Sequence, residues 1–155
     1  MSATLLTAGI NPMVPQGTLN RLISSIVVVN YPQLNITAPY LGSPGITISW
    51  DGETTRMFPT MTGTVQSPEP YQMGTASAVL LKSQNLAQLW ETQRLTASYL
   101  GNVKVTTDAT TLGAYTFYNC ALQSVSPLKV DGTDVAYSIV IKGYYPINSN
   151  LWSLT

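Results

Sequence analysis

Side chains that could do acid–base chemistry are few in this sequence, and they lie far apart. The chain has no histidine, which is the commonest general base and the commonest metal ligand in proteins. Its carboxylates have no spacing that predicts the facing pair required to hydrolyse a glycosidic bond. They are Asp51, Glu53, Glu69, Glu91, Asp108, Asp131 and Asp134. The sequence therefore predicts no catalytic residue, and we expect a protein that is not an enzyme.

The sequence also contains few residues that could bind a metal or a phosphate or provide a reactive thiol. Asp131 and Asp134 could offer oxygen ligands to Ca²⁺, but two carboxylates fall well short of the roughly six to eight ligands required. The one cysteine, Cys120, excludes an internal disulfide and has no histidine to activate it, so we expect a small buried residue in a strand. Gly42 and Gly45 match neither common phosphate-binding loop pattern. We expect no metal and no cofactor.

The charge pattern argues against sequence-specific nucleic-acid recognition and for a covered surface. The basic residues are scattered along the chain and form no cluster. Charged residues make up 9% of the chain, against roughly 25% in an ordinary soluble domain, and threonine alone occurs 20 times. A chain with a formal net charge of zero and so few charges has weak protection against self-association. We infer that much of its surface is meant to be covered.

Two features bear on location. The first basic residue is Arg21, and no basic segment followed by an apolar segment opens the chain, so we expect no secretory export. The apolar run at 26–29 is far shorter than the roughly 20 residues of a membrane-spanning helix. We therefore expect no membrane partner.

Strand-like patterns dominate the chain and predict a single domain over residues 1–155. Residues 1–18 predict an N-terminal arm, and residues 19–37 predict an extended chain that is interrupted at Pro32. Further strands are predicted at 76–81, 102–108 and 114–125. The order of strands, one helix and more strands predicts a mainly β fold, either a β-sandwich or a partly open barrel, with one flanking α-helix.

The segment 41–74 predicts a projecting hairpin. Asp51-Gly52 is a strong turn signal between two strand-like runs, and glycine- and proline-rich breakers bound the segment on both sides. Standing away from the domain, the hairpin would expose Trp50, Met57 and Phe58. An isolated hairpin is marginal in water, so we expect a neighbouring molecule to cover it.

One helix is predicted, in the segment SQNLAQLWETQRL. Ser83 is its predicted N-cap, and Gly101 its predicted stop signal. Leu86, Leu89 and Trp90 recur at helical spacing and are its predicted buried stripe.

The last third of the chain predicts sheet that is available to a partner. Asp131-Gly132 predicts a second tight hairpin. In the strand that follows, Val135, Tyr137, Ile139 and Ile141 share one face, while the opposite face is only half polar. The strand-like segment 115–125 contains no charge, although monomers usually protect sheet edges with charges or prolines. These patterns favour self-assembly, for which a closed ring would remove the exposed edges.

The order of these elements resembles that of the tail tube proteins of contractile-tailed bacteriophages. The resemblance covers most of the chain and depends on no single specific motif. It begins with an arm that leads into VPQGTLNRLISSIVVVNYPQLNIT, and continues through the hairpin at 41–74 and the central helix. It ends with NCALQSVSPLKVDGTDVAYSIVIKGYYPIN.

The resemblance implies a structural virion protein that forms hexameric rings, stacked into a tube through which DNA leaves the capsid. Its partners would be further copies of itself, the tail sheath protein, and the baseplate and tail terminator proteins. The tail would assemble in the bacterial host cytoplasm. Residues implied to reach the adjacent ring are Trp50, Asp51, Gly52, Glu53, Met57 and Phe58. Tube lumens of this family are usually acidic, so a formally neutral chain would need its acids inward and its bases outward.

Two alternatives remain open at this point. The first is another virion protein of related fold, namely a tail terminator or a baseplate ring protein. The second is a carbohydrate-binding β-sandwich, in which Trp50, Trp90 or Trp152 would stack against sugar rings. An open filament favours the tube, a discrete ring favours the first alternative, and sugar binding by a monomer favours the second.

Overall fold

The structure is a computed structural model that describes residues 13–20, 22–109 and 111–151. Of the predicted arm, only residues 13–18 are described; they are exposed and belong to no helix or strand. Eight strands and one α-helix follow. In chain order they are β1 (Ser25–Val28), β2 (Leu41–Trp50), β3 (Thr55–Pro59), β4 (Thr64–Pro68), β5 (Tyr71–Leu81), α1 (Asn85–Thr96), β6 (Tyr99–Thr106), β7 (Ala114–Val125) and β8 (Ala136–Pro146). Short 3-10 helices at Pro32–Leu34 and Ala38–Tyr40 lie between β1 and β2, so the predicted interruption at Pro32 is confirmed.

Six of the strands form one antiparallel sheet in the order β1-β6-β7-β8-β5-β2, which curls into a half-barrel. The remaining two strands, β3 and β4, pair only with each other and form a small second sheet. The predicted fold class, mainly β with one flanking helix, is confirmed. The strand predicted at 114–125 has the predicted bounds, and the one predicted at 76–81 is longer and begins at Tyr71. The strand predicted at 102–108 is present but shifted, since it begins at Tyr99 and ends at Thr106.

The inner, concave face of the six-stranded sheet carries the core. In β8, Tyr137, Ile139 and Ile141 are buried as predicted, and the residues between them are half-buried. Val135 was assigned to the same face but precedes the strand and is exposed. Cys120 is fully buried in β7, as expected, and burial raises the pKa of its thiol to about 11.

The helix covers part of the inner face and supplies its largest buried side chain. Leu86 and Trp90 are buried, which confirms most of the predicted stripe, whereas Leu89 is only partly buried at its margin. The boundaries differ from the prediction, because the cap position is Gln84 and the helix ends at Thr96.

The end of the helix is set by a side chain and not by a glycine. The buried Gln93 amide donates a 2.7 Å hydrogen bond to the carbonyl of Ala97, the first residue after the helix. Gly101, the predicted stop, lies within β6 at a break in its register with β7, where its φ of +79° is accommodated.

A pair of facing glycines allows aromatic rings to lie against the inner face. Gly74 of β5 is directly opposite Gly143 of β8. A Cβ atom on Gly74 would lie 2.2 Å from the Phe117 ring, and one on Gly143 would lie 2.4 Å from Cys120 Sγ. The absence of side chains at these two positions makes room for the packing of β7 and of Trp50.

The two Asp-Gly hairpin predictions have different outcomes. The one at Asp51-Gly52 is wrong in its pairing, since β2 pairs with β5 and not with β3. The Asp51 amide donates to the Met73 carbonyl and extends the β2–β5 ladder, and Gly52, with a φ of +78°, then turns the chain away. The strands on either side of Asp131-Gly132, β7 and β8, do pair antiparallel, but a loop at 126–135 joins them in place of the predicted tight turn. In that loop the Asp131 side chain accepts a 3.2 Å hydrogen bond from the Thr133 amide.

The buried indole gives a first prediction. Trp90 is 0% exposed, and among the described residues none accepts a hydrogen bond from its N–H. Trp90→Ala should lower the free energy of unfolding by about 3–5 kcal/mol, because it leaves a large cavity. Trp90→Phe should cost less, since it keeps an aromatic ring and removes a buried donor without a partner. Urea denaturation of the three proteins tests this; an alanine variant as stable as the wild type would show that the helix does not pack as described.

A second prediction concerns the glycine pair. Gly74→Ala should destabilise the domain by about 1–3 kcal/mol, because the new Cβ overlaps the Phe117 ring in a packed layer. Gly63→Ala is the matched control, since a Cβ there has no neighbour within 4 Å and the residue lies in an exposed turn. Thermal melting compares the two; equal melting temperatures would contradict the close packing at Gly74.

Candidate functional site

The most exposed apolar element is the hairpin formed by β3 and β4, residues 55–68, which we call the hairpin arm. It is shorter than the predicted 41–74, because residues 41–50 and 71–74 belong to the six-stranded sheet. Nearly every residue of β3 and most of β4 are exposed. The arm therefore stands away from the domain, as predicted for the segment around Met57 and Phe58.

Apolar side chains occupy both faces of the hairpin arm and its tip. Phe58 and Val65 are cross-strand partners on one face, and they are 48% and 54% exposed. Met57 lies on the other face opposite Gln66. Met61, in the turn at 60–63, is 100% exposed. A two-stranded hairpin with apolar groups on both faces has no side that suits water, so it is a candidate contact surface.

Asp51, Gly52 and Glu53 lie in the exposed link between β2 and the hairpin arm. The Asp51 carboxylate is 2.6 Å from Lys142 Nζ on β8, and the Gln72 amide donates to the Gly52 carbonyl at 3.3 Å. These residues attach the arm to the sheet. They are close to Met57 and Phe58 in sequence, but lie at the base of the arm and not along it.

Trp50, the remaining predicted contact residue, packs within its own chain. Its ring centroid is 4.9 Å from that of Tyr145, 5.4 Å from that of Phe117 and 6.0 Å from that of Tyr115. Trp50 is 38% exposed, at the end of the inner face away from the helix. It lines the mouth of the half-barrel and is not part of the projecting arm.

The sheet ends in two strands that lack charge, β1 and β2. The uncharged segment 115–125, which was predicted as an edge, is wrong in position: β7 lies between β6 and β8. The edge of β1 is partly covered, because Ile26 and Ile36 exchange backbone hydrogen bonds on its outer side. β2 is the more open edge, over residues 46–50, which read ITISW.

The inner side of the β2 edge borders an open cleft. This cleft has a volume of about 260 Å³, separates β2 from the ends of β6 and β7, and is lined mainly by Ile46, Ile48, Trp50, Val105, Leu112 and Tyr115. A second cleft continues from Ile46 along the proline-containing part of β2 to Leu22 and Ser24, just before β1. β1 and β2 stand at opposite ends of the strand order and do not pair with each other, so the barrel is not closed.

The outer face of the six-stranded sheet carries few charges and is rich in hydroxyl groups. Its described strands contain no carboxylate, and their only charged residues are Lys104 and Lys142. Three tyrosines of adjacent strands form an exposed row: the ring centroid of Tyr144 is 5.9 Å from that of Tyr71 and 5.7 Å from that of Tyr118. The acids lie instead on the helix and in the loops at the ends of the sheet.

The helix carries the main electrostatic contact to the inner face. Arg94 forms an ion pair with Glu91, and the Tyr137 hydroxyl donates to the same carboxylate. The Arg94 hydrogen bond, followed by the Tyr137 hydrogen bond, lowers the pKa of Glu91 below its ordinary 4.5. Burial, together with the Glu91 contact, raises the pKa of Tyr137 to about 12.

The described ranges 13–20, 22–109 and 111–151 contain no group of three His, Cys, Asp or Glu residues that could hold a metal ion. No helix in these ranges is long and apolar enough to cross a membrane.

No protein-family model matches the chain, and a search of curated proteins finds no significant match.

Sequence reasoning missed several residues of these surfaces. Met61 and Val65 were not singled out, although the turn TMTG between two short strand-like runs is a hairpin signal that competes with Asp51-Gly52. The edge position of β2 and the role of Asn148 at the base of the arm have no local signal, since both depend on pairing between distant segments.

The pKa of Glu91 gives a third prediction. Because its folded-state value is lowered, the carboxylate stabilises the fold fully above pH 4.5, and this contribution is lost as the pH falls through the lowered value. The Glu91→Gln variant should therefore lose less stability than the wild type between about pH 6 and about pH 3. Urea midpoints measured across this range test it, with Glu53→Gln on the exposed link as the control. Parallel profiles for the wild type and Glu91→Gln would contradict the contact.

Proposed function

We propose that this chain is a structural subunit that assembles with copies of itself, and that the assembly is the inner tail tube of a contractile-tailed bacteriophage. Hexameric rings would form through the edges of the curled sheet and stack through the hairpin arm. One observation carries the proposal: the same subunit has two uncharged sheet edges and an exposed apolar hairpin. The resemblance of the sequence to tail tube proteins supplies the particular assembly.

The edges support lateral association. An unprotected edge strand presents a row of backbone donors and acceptors, and residues 46–50 of β2 add β-branched, uncharged side chains to it. Each backbone hydrogen bond formed with a neighbour contributes about 0.5–1.5 kcal/mol net. A half-barrel that pairs its edges with those of its neighbours extends the curl into a larger ring, and a heterologous contact of this kind closes when the rotation permits.

The hairpin arm supports stacking. Covering Phe58 and Val65, together with Met57 and Met61, would remove apolar area from water on both faces of the arm at once. A contact on both faces suits an arm inserted between or beneath neighbouring subunits better than one lying on a flat surface. Contact with the next ring provides such a setting.

The charge distribution changes what the resemblance implies about the lumen. An acidic lumen would need the helix or the end loops to face inward, because the described strands of the sheet contain no carboxylate. If the outer face of the sheet lines the passage, DNA would meet hydroxyl groups and tyrosines, together with Lys104 and a Lys142 that is already paired with Asp51. We favour this neutral passage, since few fixed charges leave DNA few places to bind.

Two of the three tryptophans that would stack against sugar rings give the carbohydrate-binding alternative no support. Trp90 is completely buried, and Trp50 packs among three aromatic rings of its own chain. Trp152 lies outside the described residues. The tail terminator or baseplate ring protein differs from the tube in the form of its assembly, and the experiment below separates them.

A fourth prediction tests the two surfaces separately. The double variant Phe58→Thr/Val65→Thr should form rings that do not stack, because it removes the apolar face of the arm and keeps strand-forming residues. Thr47→Lys should prevent ring closure by placing a charge on the β2 edge. Val130→Thr, at a loop position that is 94% exposed, is the control and should assemble like the wild type. Sedimentation and negative-stain electron microscopy measure assembly, and circular dichroism checks that each variant is folded.

The results of these experiments distinguish the tail tube from its alternatives. A wild-type protein that remains a 16.7 kDa monomer over a wide concentration range would overturn the proposal, and discrete rings without filaments would favour a terminator or baseplate ring protein. Normal tubes from both variants would show that neither surface is a subunit contact. A deletion that tests the arm should be confined to residues 56–67, because one that extended into 47–50 would remove part of β2.

A further inference from the structure

Asn148, just after β8, joins the end of the six-stranded sheet to the base of the hairpin arm. Its side-chain nitrogen donates to the Glu69 carbonyl at 2.8 Å and to the Thr54 carbonyl at 3.2 Å. Thr54 immediately precedes β3, and Glu69 immediately follows β4. We call these three residues the Asn148 clasp.

The clasp uses both hydrogens of one amide to hold both strands of the arm where they leave the domain. The Glu69 amide donates to the Thr54 carbonyl at 3.1 Å and so closes the base of the arm. Beside it, the Ile147 amide donates to the Pro70 carbonyl at 3.1 Å. Two residues after β8, Ile147 and Asn148, therefore donate hydrogen bonds to three backbone carbonyls at the base of the arm.

Asn is the residue type that satisfies both requirements at this position. The backbone of Asn148 has a φ of +54°, in the left-handed region that Asn tolerates better than most other side chains. Glycine would accept that backbone but has no amide to donate. Aspartate would also accept it but would place oxygens against two carbonyl oxygens. The combination of a left-handed backbone and a double donor is specific to Asn.

The remaining contacts at the base constrain the direction of the hairpin arm more weakly. Arg56 and Glu69 form an ion pair at 3.1 Å, but the Arg56 side chain is 65% exposed. An exposed ion pair of this kind contributes little to holding the arm in one orientation. The Gln72 contact to Gly52 is long, at 3.3 Å, and lies on the link and not on the arm. Because most of the arm is exposed, its angle to the sheet depends mainly on the clasp.

We propose that Asn148 is a positioning residue, which sets the direction of the hairpin arm and thereby prepares it for contact with another subunit. An arm that could swing would lose conformational freedom on association, whereas an arm already held in place loses less. The consequence for assembly rests on the proposed function. The clasp itself is a property of the single subunit and can be tested without assembly.

The fifth prediction uses Asn148→Gly and Asn148→Asp, with Asn119→Gly as the matched control. Asn119 also has a φ of +54°, but lies at the irregular part of β7, away from the arm. In protein diluted until sedimentation shows monomer, amide exchange across residues 55–69 should be at least about tenfold faster in both Asn148 variants. Exchange in the six-stranded sheet should be unchanged, and Asn119→Gly should leave the arm at the wild-type rate.

Assembly provides a separate readout. The protein concentration needed to form tubes should rise by at least about tenfold in both Asn148 variants and stay unchanged in Asn119→Gly. Wild-type exchange rates in the arm of Asn148→Gly would overturn the inference, as would equal acceleration in the Asn119→Gly control. Faster exchange in the Asn148 variants of a protein that never assembles would uphold the clasp and count against the proposed function alone.

Discussion

A sheet that curls without closing leaves two rows of unpaired backbone groups, and this constraint governs the rest of the molecule. Six strands bend far enough to bury their inner face beneath the helix, while β1 and β2 remain at opposite ends of the strand order and do not pair with each other. Closure within the chain would have removed both edges. Ile36, which lies between the two 3-10 helices, protects part of β1, but β2 keeps an open, uncharged edge. The proposed assembly depends on this open edge.

The packing of the inner face explains how far the sheet curls. At one end, Trp90 fills the space between the sheet and the helix. At the other end, no helix is present among the described residues, and Trp50 instead stacks with Phe117 and Tyr145 against the Gly74–Gly143 pair. Large rings at both ends hold the two halves of the sheet apart, so the inner space is filled before the edges can meet.

The hairpin arm and the outer face of the sheet differ in surface chemistry. The arm exposes apolar groups on both faces, which is unfavourable in an isolated subunit, and it is attached by backbone hydrogen bonds at its base instead of by packing along its length. The sheet carries neutral hydroxyl groups, and the acids lie at its ends and on the helix. A low charge content thus has a structural basis: the broad sheet face carries almost none of the charges.

Local patterns in the sequence were sufficient for the fold class, most strands and the helix, because alternation and helical spacing are written in consecutive residues. The same holds for the inward residues of β8, for the burial of Cys120 and for an exposed segment containing Met57 and Phe58. Partner choice between strands was not determined locally. Asp51-Gly52 has the composition of a hairpin turn, yet β2 pairs with β5, since a long register with a distant strand outweighs one tight turn. For the same reason, only the tertiary structure decided that β7 is internal, that β2 is an edge, that Trp50 packs inward and that Asn148 holds the arm. Each of these depends on groups brought together from distant parts of the chain.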